Sequence, residues 1–238
     1  MEIEVLGTGS SGNCYKVKIG KATLLLECGL PYKVIQKKLN FKISEIDACL
    51  VTHEHMDHAK AVKDLMKAGI DCYMTKGTAE ALGVSGHRLK AFDTWGECKY
   101  KTTYVKDLLI QPFEAVHDVA EPVSYFIKTR DDKESIVFVT DTAYLKYKIP
   151  ECDVLMIECN YVKAKLDENV RLGNINTSLR NRIVKNHLSL ESLVEALKAS
   201  SLDRCKKIYL LHLSDGNSDE KLIKRTIQET TGIEVVVC

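Results

Sequence analysis

Thr52-His53-Glu54-His55-Met56-Asp57-His58 follows directly on the apolar run Ala48–Val51. Three imidazoles and the Asp57 carboxylate within six residues are costly in a core and serve no purpose on an ordinary surface. Nitrogen and oxygen donors at this density match what zinc-class ions prefer. The segment therefore belongs at a sheet edge, where strand gives way to loop, and it predicts a metal site. His53 and His55 stand two apart in extended chain and project to one side. Asp57 and His58 are adjacent at a helix start and can address a second ion.

The rest of the chain reads as α/β. Short Val/Ile/Leu-rich runs alternate with helix-period segments. Strands are expected at Ile3–Gly7, Cys14–Ile19, Thr23–Leu26, Ala48–Thr52, Leu108–Ala115, Val123–Lys128, Ile136–Thr140, Val154–Glu158 and Ile208–Leu211, with a hairpin turn at Gly20-Lys21. Ala61, Val62, Leu65 and Met66 mark one helix after His58; Leu190, Leu193, Val194 and Leu197 mark another behind the N-cap Ser189, with His187 opening it. The strand-rich halves meet near residue 140 with no Pro/Gly/Ser linker, so residues 1–238 are expected to form one two-sheet domain.

Composition excludes several classes. With 34 Lys+Arg against 33 Asp+Glu, the net charge of +1 gives no global attraction to polyanions. Nine cysteines, an odd number without a C-x-x-C pair, rule against a disulfide framework or a zinc ribbon and read as reduced core residues. The N-terminus lacks a basic start followed by an apolar stretch, and no run approaches the roughly 18 apolar residues of a membrane span. A cytoplasmic protein without membrane contact is expected.

Two ions need more ligands than one segment supplies. His117 follows the strand Leu108–Ala115, Asp141 ends Ile136–Thr140, and His212 ends Ile208–Leu211. Polar residues after apolar strands sit at sheet edges, where loops collect functional groups.

With these strand-end motifs in this order, the chain resembles a metallo-β-lactamase-fold hydrolase along nearly its whole length. The resemblance implies a four-layer αββα sandwich. It further implies that His53, His55 and His117 hold one ion, that Asp57, His58 and His212 hold the other, and that Asp141 bridges them with a hydroxide, the expected nucleophile. Lactamase-type members usually present Cys where Asp141 stands, which argues against β-lactam hydrolysis. Two divalent ions offset by Asp57, Asp141 and the hydroxide leave about one net positive charge, which suits an anionic substrate. Such a pair can activate water and stabilise both oxygens of a phosphodiester displacement. Leu26-Glu27-Cys28-Gly29 departs from the pattern, with Glu27 where the superfamily usually carries an Asp that supports the ligands.

Glu158 ends its strand, and His187 stands in Asn186-His187-Leu188-Ser189. The pair resembles the Glu and His with which tRNA 3′-end-processing endonucleases of the superfamily protonate the leaving oxygen, a task suited to an imidazole whose carboxylate partner raises its pKa. A helix-capping histidine is the competing reading. The turn Gly7-Thr8-Gly9-Ser10-Ser11-Gly12-Asn13 could line a phosphate approach. Its segment Gly9–Cys14, with His117–Pro122 and His187–Ser189, is similar to the bacterial YycJ (WalJ) group of 5′-to-3′ exonucleases. Arg171, Arg180, Arg182 and Lys185 gather before His187 and could hold a nucleic-acid backbone. Aromatics are sparse, with Trp95 the one tryptophan, and no basic–aromatic interleaving is expected. His87 reads as a plain loop residue.

The expectation is thus a dinuclear metal-dependent phosphodiesterase acting on DNA or RNA, with zinc, or alternatively manganese, as its two ions. Asp57, His187 and Glu158 are its expected catalytic groups, and Ser10, Asn13, Arg180 and Arg182 its expected substrate contacts. The alternatives are hydrolysis of a small cyclic phosphodiester, lactone or ester, and a non-catalytic protein that sequesters metal or ligand.

Overall fold

Near-continuous apolar runs on parallel strands require cover on both faces, and the chain meets that requirement twice. A computed structural model describes residues 1–94 and 100–238; Trp95 and Cys98 lie outside the described residues. It contains two sheets and divides into two compact units, Met1–Phe113 with Val119–Ser135, and Glu114–Asp118 with Ile136–Cys238.

The first unit holds a six-stranded sheet in sequence order: β1 (Glu2–Gly7), β2 (Cys14–Ile19), β3 (Ala22–Leu26), β4 (Ala48–Leu50), β5 (Asp71–Met74) and β6 (Leu89–Ala91). The first three pair antiparallel, with Gly20 at a φ of 54° in the tight β2–β3 turn. From β3 onward the pairing is parallel. The crossovers are made by α1 (Tyr32–Lys38), α2 (Met56–Ala59) with α3 (Val62–Lys67), and α4 (Lys76–Leu82). Ile35 of α1 and Val62 and Leu65 of α3 pack with Leu25, Cys49, Cys72 and Met74 of the sheet. The unit also carries β7 (Thr103–Val105), β8 (Leu108–Glu114) and β9 (Val123–Thr129), neighbours in the order β9-β8-β7. The Val123 amide donates to the Thr52 carbonyl at 3.1 Å, just where β4 has ended and the histidine segment begins.

The second unit is built on four parallel strands in the order β13-β12-β11-β10: β10 (Ser135–Val139), β11 (Val154–Glu158), β12 (Lys207–Leu211) and β13 (Glu234–Val237). Every residue of β10 is buried. Between β11 and β12 come α5 (Lys163–Arg171), α6 (Thr177–Asn186) and α7 (Leu190–Lys198); α8 (Glu220–Thr231) precedes β13. Side-chain oxygens of Asn176, Ser189 and Asp219 accept the Leu179, Ser192 and Leu222 amides and so cap α6, α7 and α8.

All nine expected strands form, with ends shifted by at most two residues. Two helical expectations are corrected. The helix after His58 is broken into α2 and α3. His187 closes α6, with the extended φ/ψ of −132°/152°, rather than opening α7. The eight cysteines among the described residues are free thiols, seven of them buried.

Of the glycines in the first unit, Gly29 makes the tightest backbone approach. A Cβ on Gly29 would lie 1.7 Å from the Asp57 carbonyl oxygen and 2.1 Å from its carbon. Both partners are backbone, so no rotamer change relieves the clash. Gly29→Ala is expected to lower the unfolding free energy by more than about 3 kcal/mol, whereas Gly216→Ala, with open space around the new methyl, leaves the urea midpoint nearly unchanged. A Gly29→Ala protein with the wild-type midpoint would refute this packing.

Candidate metal centre

In the first unit the histidine segment is gripped by its backbone. The Asn13 amide donates to the Asp57 carbonyl at 2.7 Å, the Cys28 amide donates to the His58 carbonyl at 2.8 Å, and the Ala61 amide returns to the Cys28 carbonyl at 2.9 Å. His55 is the N-cap of α2, which swings Asp57 and His58 out of the extended direction of His53 and His55. The rings gather accordingly: His53 lies 4.8 Å from His55 and 4.2 Å from His58 between centroids.

Asn13 fixes more than the backbone. Its Oδ1 accepts the Gly9 amide at 2.9 Å and the Tyr15 hydroxyl at 3.1 Å, so its Nδ2 is the donor facing His58 Nε2 at 3.1 Å. The lone pair of that nitrogen accepts the Asn13 amide, and Asp57 Oδ2 stands 3.4 Å from it. Glu27 lies beneath. Its carboxylate accepts the Thr52 amide at 3.2 Å and sits 3.7 Å from His58 Nδ1. Burial raises its pKa, against the lowering by His58 and Thr52. The longer side chain in place of Asp is accommodated: Glu27 takes the left-handed φ of 64° and reaches both the loop backbone and the histidine.

The second unit places its donors at the carboxyl ends of parallel strands, the usual position for ligand groups in α/β sheets. Asp141 follows β10, Glu158 ends β11 and His212 follows β12. Asp141 and His212 adopt positive φ, 33° and 54°, conformations that cost energy and persist where surrounding contacts impose them. Asn160 donates to the His212 carbonyl at 2.8 Å, and Thr140 donates to Asp141 Oδ1 at 2.9 Å. His212 Nδ1 lies 2.7 Å from Asp141 Oδ1, and His117 Nε2 lies 3.9 Å from Asp141 Oδ2. One donor atom from each of Asp141, Glu158, His187 and His212 falls within 4.8 Å of the others.

Glu158 is wholly buried and held from all sides. Its Oε2 accepts the Thr142 and Leu188 amides at 3.2 and 3.1 Å, while Oε1 lies 2.6 Å from His187 Nδ1 and 3.4 Å from His212 Nδ1. Burial alone would raise its pKa; the charge and hydrogen bonds of His187 and His212 outweigh that and hold the carboxyl below its ordinary value. The histidines respond in the opposite sense. Burial lowers the His187 pKa, but the Glu158 carboxylate more than offsets it. For His212 burial is overcome by Asp141 and then Glu158, and the pKa is pushed up to about 10. A pocket that holds a proton this firmly is one that stabilises positive charge, and a divalent ion answers the same field.

The expected substrate contacts fare unequally. Ser10 is exposed in its turn. Asn13 is a correction: it is fully buried with its amide spent on Gly9, Tyr15, Asp57 and His58, so it positions the metal loop instead of meeting substrate. Arg180 is tied to Asp167 by a 2.7 Å bond. Arg182 lines a cavity of about 560 Å³ with Asp118, Ser178, Asn181 and Lys185. Asn186 was missed from sequence; its Oδ1 accepts the Asp118 amide at 3.2 Å, one residue beyond His117. An amide side chain directly before His187 was the available signal.

Comparison with known proteins agrees with this arrangement. The family described as Beta-lactamase superfamily domain matches residues 24–212. "Exodeoxyribonuclease WalJ" of Streptococcus pneumoniae serotype 2 (strain D39 / NCTC 7466) is 35% identical, covering 94% of this chain and 85% of that protein. "Exodeoxyribonuclease YycJ" of Bacillus anthracis is 28% identical over 96% of this chain and 88% of its own. Among solved structures, the metallo-beta-lactamase fold protein YhfI from Bacillus subtilis superposes with a TM-score of 0.73 at 17% identity, covering 99% of this chain and 95% of that one. With histidines and aspartates on the strand ends of this fold, the chain belongs to the beta-lactamase superfamily, among its metal-dependent hydrolases and in the family of pneumococcal WalJ.

Proposed function

We propose that the protein is a dinuclear phosphodiesterase that degrades nucleic acid, with single-stranded DNA attacked from its 5′ end as its substrate. Residues 1–238 act as one hydrolase domain; the family match takes in parts of both units. His53, His55 and His117 would hold one ion and Asp57, His58 and His212 the other, with Asp141 shared. Five imidazoles and two carboxylates favour zinc, with manganese the alternative. When bound, the ions supply an activated water and charge neutralisation for a phosphodiester displacement. Free thiols and the lack, among the described residues, of any helix long and apolar enough to cross a membrane accord with a cytosolic setting.

The observation that carries this reading is the 2.6 Å contact between His187 Nδ1 and Glu158, beside Asp141 and His212. Phosphodiester cleavage expels an oxygen that needs a proton. Glu158 raises the proton affinity of His187 and, by engaging Nδ1, leaves Nε2 as the atom to donate, while Glu158 itself, enclosed by backbone amides, is a positioning residue. Exposed Arg182 and Lys185, with Asn181 and Ser178, give the 560 Å³ cavity the charge to take a phosphate backbone. Ser10 is the contact expected from the first unit. The exodeoxyribonuclease names of the pneumococcal and anthrax relatives support DNA over RNA.

Labelled single-stranded DNA, RNA and cyclic nucleotides distinguish the substrates. Progressive loss of 5′-labelled DNA is expected, and turnover of cyclic nucleotides alone would establish the small-molecule alternative instead. His187→Ala is expected to cut kcat on DNA by about 10²–10⁴-fold at unchanged metal content; near-wild-type turnover removes the acid role. Elemental analysis should give two transition-metal ions per wild-type chain and fewer for Asp141→Ala. A wild-type protein that retains at most one ion under zinc-replete conditions is not dinuclear.

A further inference from the structure

Tyr144-Leu145-Lys146-Tyr147-Lys148 contradicts the expectation that basic and aromatic residues do not interleave in this chain. The segment begins three residues beyond Asp141, and its two tyrosines are 52% and 56% exposed. Exposed rings on a loose loop would carry little meaning, but this loop is fastened at both ends. The Thr142 hydroxyl accepts the Val116 amide at 3.0 Å and donates to the Tyr144 carbonyl at 2.8 Å, and the Ala143 amide donates to the Val116 carbonyl at 2.8 Å. At the far end the buried Ile149 donates its amide to the Ser200 hydroxyl at 3.0 Å. Between them the Tyr147 hydroxyl and the Lys146 ammonium both donate to Glu114 Oε2, at 3.1 and 2.9 Å. The Tyr147 ring is thus held by its polar tip while much of the residue stays exposed. The strand end that anchors the loop, Glu114 to Val116, runs straight into the ligand residue His117.

We infer that Tyr144 and Tyr147 form a fixed stacking platform for the bases of a single-stranded nucleic acid, with Lys146 and Lys148 beside its phosphates. The inference rests on the nuclease reading and deepens it. Every base offers a π-face, so two tyrosines can grip a strand without reading its sequence, as a processive degradative enzyme requires. Because the loop is already ordered, little conformational entropy is lost when a base stacks. Lys146 pairs with the Glu114 carboxylate at 2.9 Å and offsets its charge toward a polyanion.

The test compares two 5′-labelled strands of equal length on the zinc-loaded enzyme, oligothymidylate and an abasic (tetrahydrofuran) analogue. Wild type is expected to show a lower KM for the base-bearing strand. Tyr144→Ala and Tyr147→Ala should each raise that KM by about tenfold, with a smaller change in kcat, and the double variant should lose the preference over the abasic strand. Tyr144→Phe and Tyr147→Phe keep the rings and should keep the preference, which separates stacking from loop collapse. A double alanine variant that retains the wild-type preference overturns the platform and leaves the nuclease reading intact. A wild-type protein that degrades neither strand overturns both.

Discussion

The carbonyls of Asp57 and His58 are held by amides from two different strand–loop junctions, Asn13 after β1 and Cys28 after β3. Much of the chemistry of the first unit depends on that grip. A metal loop must present several polar side chains in one direction while its backbone satisfies its own hydrogen bonds, and a short α2 cannot do this alone. The close approach of Gly29 lets the chain after β3 lie against the loop, and Asn13 turns the same contact into control of the His58 ring. Structure and ligand geometry are thus set by one group of hydrogen bonds.

In the second unit the organising constraint is electrostatic. Glu158 is a fully buried carboxylate, and burial of an unpaired charge would be prohibitive. Two backbone amides and the His187 and His212 imidazoles stabilise it, and in return it raises the proton affinity of both rings. One residue thereby steadies a proposed metal ligand and a proposed proton donor at once. Their difference lies in exposure: the His187 side chain is 21% open, and that of His212 is 4%. The more accessible ring is the one able to meet a leaving group.

Strands with unbroken apolar runs, such as Val154–Glu158, were legible because burial on both faces writes itself into consecutive residues. Leu89–Ala91 and Thr103–Val105 were not, being three residues long and only partly buried. Helix α6 leaves little trace in the sequence for a related reason: Asn186 is its one buried residue, so no apolar stripe marks it and polar capping by Asn176 defines its start. Without an apolar stripe on α6, local pattern alone places His187 with α7, although it is the C-cap of α6. Asn13 looked like a substrate contact because a Gly-rich turn is locally exposed in character; only its tertiary partners show it turned inward.

Residue chemistry and its position relative to apolar runs fixed the metal-binding character of the chain, the seven candidate ligands and the strand ends that bear them, since these depend on neighbours a few residues away. Tertiary structure decided which groups meet: Asp141 with His212 across 71 residues, Glu158 with His187 across 29, and the tyrosine loop with Glu114. Those pairings follow from strand order and from the left-handed turns at Glu27, Asp141 and His212. None of these three is the glycine that would announce such a turn, because the backbone is forced there by packing and hydrogen bonds rather than chosen by local preference.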